Sequence, residues 1–315
     1  MKVKPGINDV LWMATGAAVL LVSILVVLHF HKDQDTAAQL AFKARRVDLV
    51  GLMQLDLASA SEAEKSAVLA ITDQDSQTFA DQARAASAKV EQERRELGEL
   101  LTAGGTQGEM ELLAQFTEAF AEFQRIDNEL LALAVKNTNL KAYSLAFGPA
   151  ATALKEMNAA LSRLVAANAD LPEAKPTMLL AFGAQTSALR IQTLLPPHIA
   201  EENDKKMDEL EALMASEDAQ VRKSLDGLAA LPKFSNDPEL ATATARYAEF
   251  SKIKTQILAL SRENTNVRSL SISLNQKRKV MLACQATLSA LQQAILAEPI
   301  AGVTYGTPVR PRRLL

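Results

Sequence analysis

Chemistry in this 315-residue chain would have to come from few side chains: His29, His31, His198, the single Cys284 and scattered charges. A di-iron bundle site needs paired Glu-x-x-His motifs. None is present: Leu195 stands three residues before His198, and no glutamate precedes His29. His29 and His31 border a long apolar run, where amphipathic rings are ordinary membrane-interface residues, and a metal would want further ligands nearby. His198 follows Pro196-Pro197 and precedes Glu201-Glu202, which reads as a solvated first helical turn rather than a metal site. Gly104-Gly105 lacks the Lys-Ser or Lys-Thr of a phosphate loop. So few histidines allow no Ser/His/Asp or Cys/His constellation, and one cysteine allows no intrachain disulfide. The basic clusters Arg45-Arg46, Arg94-Arg95 and residues 276–280 (QKRKV) read as solvated helix faces, with an anion site as the lesser alternative. Arg310, Arg312 and Arg313 are too few to define an anionic-surface contact. The expectation is a protein that is not an enzyme, with no catalytic residue, no cofactor and no metal.

The polar residues that do form a pattern are asparagines. Residues 131–143 read LALAVKNTNLKAY and residues 258–270 read LALSRENTNVRSL. The likeness is wider than the tripeptide. FAEFQRIDNELLALAVKNTNL begins at Phe120 and YAEFSKIKTQILALSRENTNV begins at Tyr247, 127 positions later, with ten of twenty-one residues identical. Leu154, Leu161 and Leu164 face Met281, Leu288 and Leu291 in the same register. Upstream, Val90, Leu97 and Leu100 face Val221, Leu228 and Leu231 once about four loop residues are inserted. A period this long marks a duplicated domain rather than a solenoid repeat.

On the apolar stripe of the repeated helix, Phe123, Ile126, Leu130 and Leu133 are followed by Asn137, Leu140, Ser144 and Phe147 at spacings of three and four. The second copy gives Phe250, Ile253, Ile257, Leu260, Asn264, Val267, Ser271 and Leu274. Asn137, Ser144, Asn264 and Ser271 therefore stand at core-facing positions, while Asn139 and Asn266 lie off the stripe. Buried amides of this kind fix helix register, as one core asparagine does in coiled coils. Alternatively they line a small ligand pocket between helices.

The elements that must hold these residues are helices. The chain is 48% hydrophobic but 4% aromatic, with 23% charged residues, which suits long helices packed through Ala and Leu and not a β-sandwich. A formal charge of −3 gives no support for nucleic acid as a partner. In the first copy the pattern predicts helices over about 33–70, then to 101, stopping at Ala103-Gly104-Gly105. A third runs over about 109–146, with Gly148-Pro149 as stop and restart, and a fourth runs to about 168. Thr72-Asp73-Gln74-Asp75 interrupts the first two, and Leu171-Pro172 with Pro176 marks the boundary between copies. In the second copy Pro196-Pro197 breaks or kinks the first helix. Pro232 ends the second, and Asp237 with Pro238 starts the third as N-cap and first helical residue.

Residues 10–30 (VLWMATGAAVLLVSILVVLHF) carry no charge and are long enough to cross a bilayer of about 30 Å. Asn8 or Asp9 can cap this helix, and Trp12 sits at interface depth. Lys2 and Lys4 precede it while the far flank mixes Lys32 with Asp33 and Asp35, so the N-terminus is expected inside and the remainder outside. The run exceeds a usual signal-peptide core and ends without a small-x-small cleavage site, which favours an uncleaved anchor. No second stretch of this kind is expected. The fold expected is all-α: one N-terminal transmembrane helix followed by two tandem antiparallel four-helix bundles. Its parts are a cytoplasmic N-terminus at 1–9, the span at 10–30, bundles at 31–170 and 171–298, and a disordered tail at 299–315.

The membrane helix running on into the first bundle helix, together with LLALAVKNTNLKAYSLAFGPAATALKEMNAAL and its counterpart ILALSRENTNVRSLSISLNQKRKVMLACQATLSAL, resembles the four-helix-bundle sensor domain of methyl-accepting chemotaxis receptors. The likeness covers about residues 9–297, once per copy. It implies an extracytoplasmic ligand-sensing bundle in the bacterial cytoplasmic membrane, often a homodimer, that moves one membrane helix against its neighbours. The second membrane helix, linker and signalling hairpin of such receptors are not seen, so the output half is expected to be absent. Pro172 and Pro176 argue against the long shared helices of the bimodular helical sensors, which the tandem arrangement otherwise resembles. The partners expected are the lipid bilayer and either a small-molecule ligand or a membrane signalling protein. The other reading kept open is a non-catalytic scaffold at the cell envelope.

Overall fold

The computed structural model describes the backbone of residues 7–170 and 172–300, with side chains from residue 36 onward. The backbone of the membrane segment expected at 10–30 is helical, while its side chains and the tail from residue 301 lie outside the described residues. Every described element is helical: α1 (Ile7–Leu69), α2 (Asp73–Gly104), α3 (Gln107–Ala134), α4 (Thr138–Leu145), α5 (Ala151–Ala167), α6 (Ala174–Ala200), α7 (Asp204–Ala229), α8 (Pro238–Glu263), α9 (Thr265–Ile272) and α10 (Arg278–Ala297). Two π-turns, Ala146–Ala150 and Ser273–Lys277, and a 3₁₀ turn, Pro232–Phe234, complete the order.

Local signals set several ends. The Thr72 hydroxyl accepts from the Asp75 N–H at 3.0 Å and opens α2. Thr106 and Glu109 form a reciprocal capping box at the start of α3. Asp237 accepts from the N–H groups of Glu239 and Leu240, with Pro238 at the first position of α8. Two expected breaks and one expected continuous helix are corrected. Pro196-Pro197 lies inside α6, held there because Ile191, Leu195 and Ile199 anchor its last turns in the core. Gly148-Pro149 lies inside a π-turn, whose i→i+5 geometry carries the chain past the proline. The helix expected over about 109–146 is instead divided at Asn137.

The chain forms two compact units that interleave in sequence. Unit 1 takes Met1–Ala58, Ala86–Phe120 and Leu282–Leu315; unit 2 takes Ser59–Ala85 and Ala121–Met281. This differs from consecutive bundles at 31–170 and 171–298. Helices α1, α2, α3 and α10 each contribute to both units, so Pro172 and Pro176, in the α5–α6 connection and first turn of α6, mark no boundary between them.

In unit 1, four helical segments each turn one apolar stripe inward. Leu49, Val50, Met53 and Leu57 come from α1, Val90, Leu97 and Leu101 from α2, Leu113, Phe116 and Phe120 from α3, and Cys284, Leu288, Leu291 and Ile295 from α10. Arg46, expected on a solvated face, is buried between the carboxylates of Glu109 and Glu298. Lys43 donates to the carbonyls of Leu296 and Glu298 at 2.7 and 2.6 Å, closing the free end of α10.

In unit 2, α6 packs on α7 and α5 on α8 around Ala184, Ile191, Leu225, Phe250 and Ile257. A second cluster joins Ala67, Ala80, Leu130, Leu131 and Ala134. Among the described residues, one helical stretch, Pro238–Ala297, holds a window of mean hydropathy 1.4, long and apolar enough to cross a membrane. Sequence reading expected none beyond residues 10–30. Within that stretch Cys284, Leu288, Leu291 and Ile295 are core side chains of unit 1.

Candidate functional site

The two Asn-Thr-Asn motifs meet inside unit 2. Asn137 and Asn264 adopt left-handed backbone angles, φ 51° and 54°, and among the described residues they alone do so without being glycine. Asparagine tolerates this region where most side chains clash, so each motif can stop one helix and start the next within one residue. A new helix start exposes unpaired N–H groups. Here neither Asn137 nor Asn264 caps its own helix. The other motif does so instead.

The Thr138 N–H donates to Thr265 Oγ1 at 3.2 Å, and the Thr265 N–H donates to Thr138 Oγ1 at 3.1 Å. The Asn139 N–H donates to Asn266 Oδ1 at 3.2 Å, and the Asn266 N–H returns to Asn139 Oδ1 at 3.1 Å. The amides then reach outward. Asn139 Nδ2 donates to Asn264 Oδ1 and the Ile199 carbonyl, and Asn266 Nδ2 donates to Asn137 Oδ1. Asn137 Nδ2 donates to Asp73 Oδ1 and Ser76 Oγ at the start of α2, and Asn264 Nδ2 to the Glu201 carbonyl just after α6. Each motif thus caps its mate and fastens one helix turn of its own repeat. Asp73, held by Lys141 and Asn137, has its carboxyl below the usual carboxylate range.

Of the four residues expected to face the core, Asn137 and Asn264 are 1% exposed. Ser144 is exposed and Ser271 half-buried. The left-handed residue resets the helical phase, so the spacing of seven is not kept. Ala142 and Ala146, and Ser269 and Ser273, face inward instead. Asn139, expected off the stripe, is buried for the same reason, while Asn266 is half-buried. The repeat itself was the signal that could have found Thr138 and Thr265, since the middle residue recurs with the asparagines.

His198 is also relocated. It is fully buried in the last turn of α6, with Nδ1 2.8 Å from Ser261 Oγ and Nε2 2.9 Å from Glu211 Oε1. Arg262 binds Glu211 at 2.7 Å and Asp208 at 2.5 Å. Burial lowers the His198 pKa against the pull of Glu211, while Arg262 holds the Glu211 carboxyl below its usual range. Among the described residues no group of three or more His, Cys, Asp or Glu side chains is placed to hold a metal ion.

Two clefts flank the motifs in unit 2. One of about 550 Å³ is lined by Glu129, Lys136, Glu202, Arg268, Ser271 and Gln276 over Leu133 and Ile272. A smaller one of about 280 Å³ is lined by Val68, Ile71, Leu140, Tyr143 and Val267, with Asn139 and Asn266 among its walls.

Residues 52–176 match the family described as the four helix bundle sensory module for signal transduction. The match covers the first repeat with its Asn-Thr-Asn motif, and it bears out the resemblance to chemoreceptor sensor bundles over that span. No curated protein and no solved structure matches the chain.

Proposed function

We propose, from the sensory four-helix-bundle module matched over residues 52–176, that the chain is a membrane-anchored extracytoplasmic sensor of chemoreceptor type. In this reading residues 10–30 form a single membrane span with the N-terminus inside, and the helical repeats stand outside the bacterial cytoplasmic membrane, working as a homodimer. The protein performs no catalysis; it binds a small molecule or a membrane signalling protein and passes the change along its helices. The cleft beside Ser271 offers Lys136 and Arg268 opposite Glu129 and Glu202, charges suited to orienting a small polar ligand over an apolar floor. The Asn137–Asn264 layer acts as a register device, because all four motif amides are hydrogen-bonded to protein groups.

A second reading follows from that same satisfaction: with every motif amide already partnered, the helices serve as an envelope scaffold that docks other proteins and takes no small ligand. A thermal-shift screen of the full chain in detergent against metabolites separates the two. Ligand binding to the native state raises the midpoint by mass action, by about 2.7 kcal/mol of stability at a hundredfold excess over Kd. A shift abolished by Arg268→Ala supports the cleft. No shift with any compound, together with stoichiometric co-purification of a membrane protein, supports the scaffold.

A further inference from the structure

The two repeats differ at one core layer, and the difference is chemical. In the first, Glu64 of α1 is 0% exposed, and neither carboxylate oxygen has a hydrogen-bond partner. Close by, Lys277 is 1% exposed, donates to Asp127 Oδ1, and lies 3.3 Å from the centre of the Phe123 ring. Ser273 and Lys277 open and close a π-turn, so both face inward while the three residues between them face water. Lys277 was expected on a solvated basic face; the π-turn sends it into the core instead.

The second repeat supplies the comparison. Helices α1 and α6 end, and α2 and α7 begin, 131 positions apart, which pairs Glu64 with Leu195. The register of 127 pairs Ser273 with Ala146, Lys277 with Ala150 and Phe123 with Phe250. Leu195, Ala146, Ala150 and Phe250 all belong to one apolar cluster. Lys254, the mate of Asp127, instead pairs with Asp218 at 3.1 Å. The positions that match Glu64, Ser273 and Lys277 therefore pack with hydrocarbon alone. Two buried carboxyls and one ammonium are not what the fold needs at this layer, and burying them is costly.

We infer that the Glu64–Asp127–Lys277 layer is a proton-binding site that gives unit 2 a pH-driven input. With Glu64 protonated, the Asp127–Lys277 pair is balanced and the layer is neutral. Loss of that proton leaves one buried negative charge without a counter-ion, and the relief is for the end of α1 to loosen. The charged groups acting on the site are Lys65 beside Glu64 on α1, Arg84 on α2, Asp127 on α3 and Lys277 before α10. Burial raises both carboxyls above their usual range, and the charge of Lys277 opposes this at each. The inference goes beyond ligand sensing and stands without it, because the proton enters at a layer separate from the cleft beside Ser271.

The test is amide exchange of the full chain in nanodiscs from pH 5 to pH 8, with no metabolite added and after correction for intrinsic exchange. The wild-type opening equilibrium over residues 59–69 should grow by up to about tenfold per pH unit above the ordinary glutamate range, the limit for one linked proton. Glu64→Gln and Glu64→Leu should both flatten that dependence, the leucine being the side chain its mate position already holds. A Gln variant with the wild-type slope overturns the inference, as does a flat wild-type profile. Failure of both variants to fold at any pH also overturns it, since the layer would then be a structural requirement.

Discussion

The hydroxyls of Thr138 and Thr265 lie 3.2 Å apart, each accepting the backbone N–H of the other residue, 127 positions away. Two helix starts that would each need a local cap are instead capped across the repeat axis. The cap is therefore formed only when both repeats are folded and in register, which makes local helix initiation depend on tertiary pairing.

Replacing both threonines by valine keeps the shape and removes both acceptors. Each buried N–H left without a partner costs about 1–3 kcal/mol. T138V and T265V should each lower the denaturation midpoint, and the double variant should lose less than the sum, because the two bonds share one contact. Urea titration of the four proteins checks this; strict additivity would mean the caps are independent.

At Asn137, glycine and leucine should behave differently. Glycine accepts the φ of 51° without strain, losing only the bonds to Asp73, Ser76 and Asn266. Leucine loses those bonds and adds about 1–2 kcal/mol of left-handed strain. Asn137→Leu should therefore unfold at a lower temperature than Asn137→Gly in a calorimetric scan. If Asn137→Leu instead keeps the wild-type midpoint and loses a metabolite response, the pocket reading of this layer replaces the register reading.

His198 predicts acid lability. Its folded pKa is lowered by burial, so the unfolded chain takes up a proton first as pH falls below the ordinary histidine value of about 6.5. Stability is full above that value and is lost as pH falls toward the folded pKa. The first repeat places Ala67, Ala134 and Ala80 where the second has His198, Ser261 and Glu211, and those alanines pack fully buried. The triple alanine variant should fold and should lose the fall in midpoint that His198 contributes between about pH 6.5 and 5.

Glu93 predicts the opposite sign in unit 1. Burial, then the neighbouring Asp56 carboxylate, pushes its carboxyl up to about 7. A raised carboxyl stabilises below its unfolded pKa, and that contribution is lost as pH rises through 7. Glu93→Gln should therefore leave the midpoint flatter between about pH 5 and 8 than in the wild type. The amides of residues 86–100 should report it, and those of residues 59–69 should not.

The helical class, the repeat and the ends marked by Thr72, Gly104-Gly105 and Asp237 were legible because they depend on residues a few positions apart, where spacing and capping chemistry act directly. The stripe of Phe123, Ile126 and Leu130 was legible for the same reason. Phase failed beyond Asn137, because one left-handed residue rotates everything after it and spacing rules assume an unbroken helix.

What only the tertiary structure decided is which residues leave water. Arg46 meets Glu109 across 63 positions, and Lys277 meets Asp127 across 150. In sequence both bases read as solvated helix faces, since a charge is costly to bury until a partner is brought to it. The grouping of α10 with α1, α2 and α3 in unit 1 was equally invisible. Duplication in sequence shows that two segments share a shape; which segments close a bundle depends on the contacts of helices far apart in the chain.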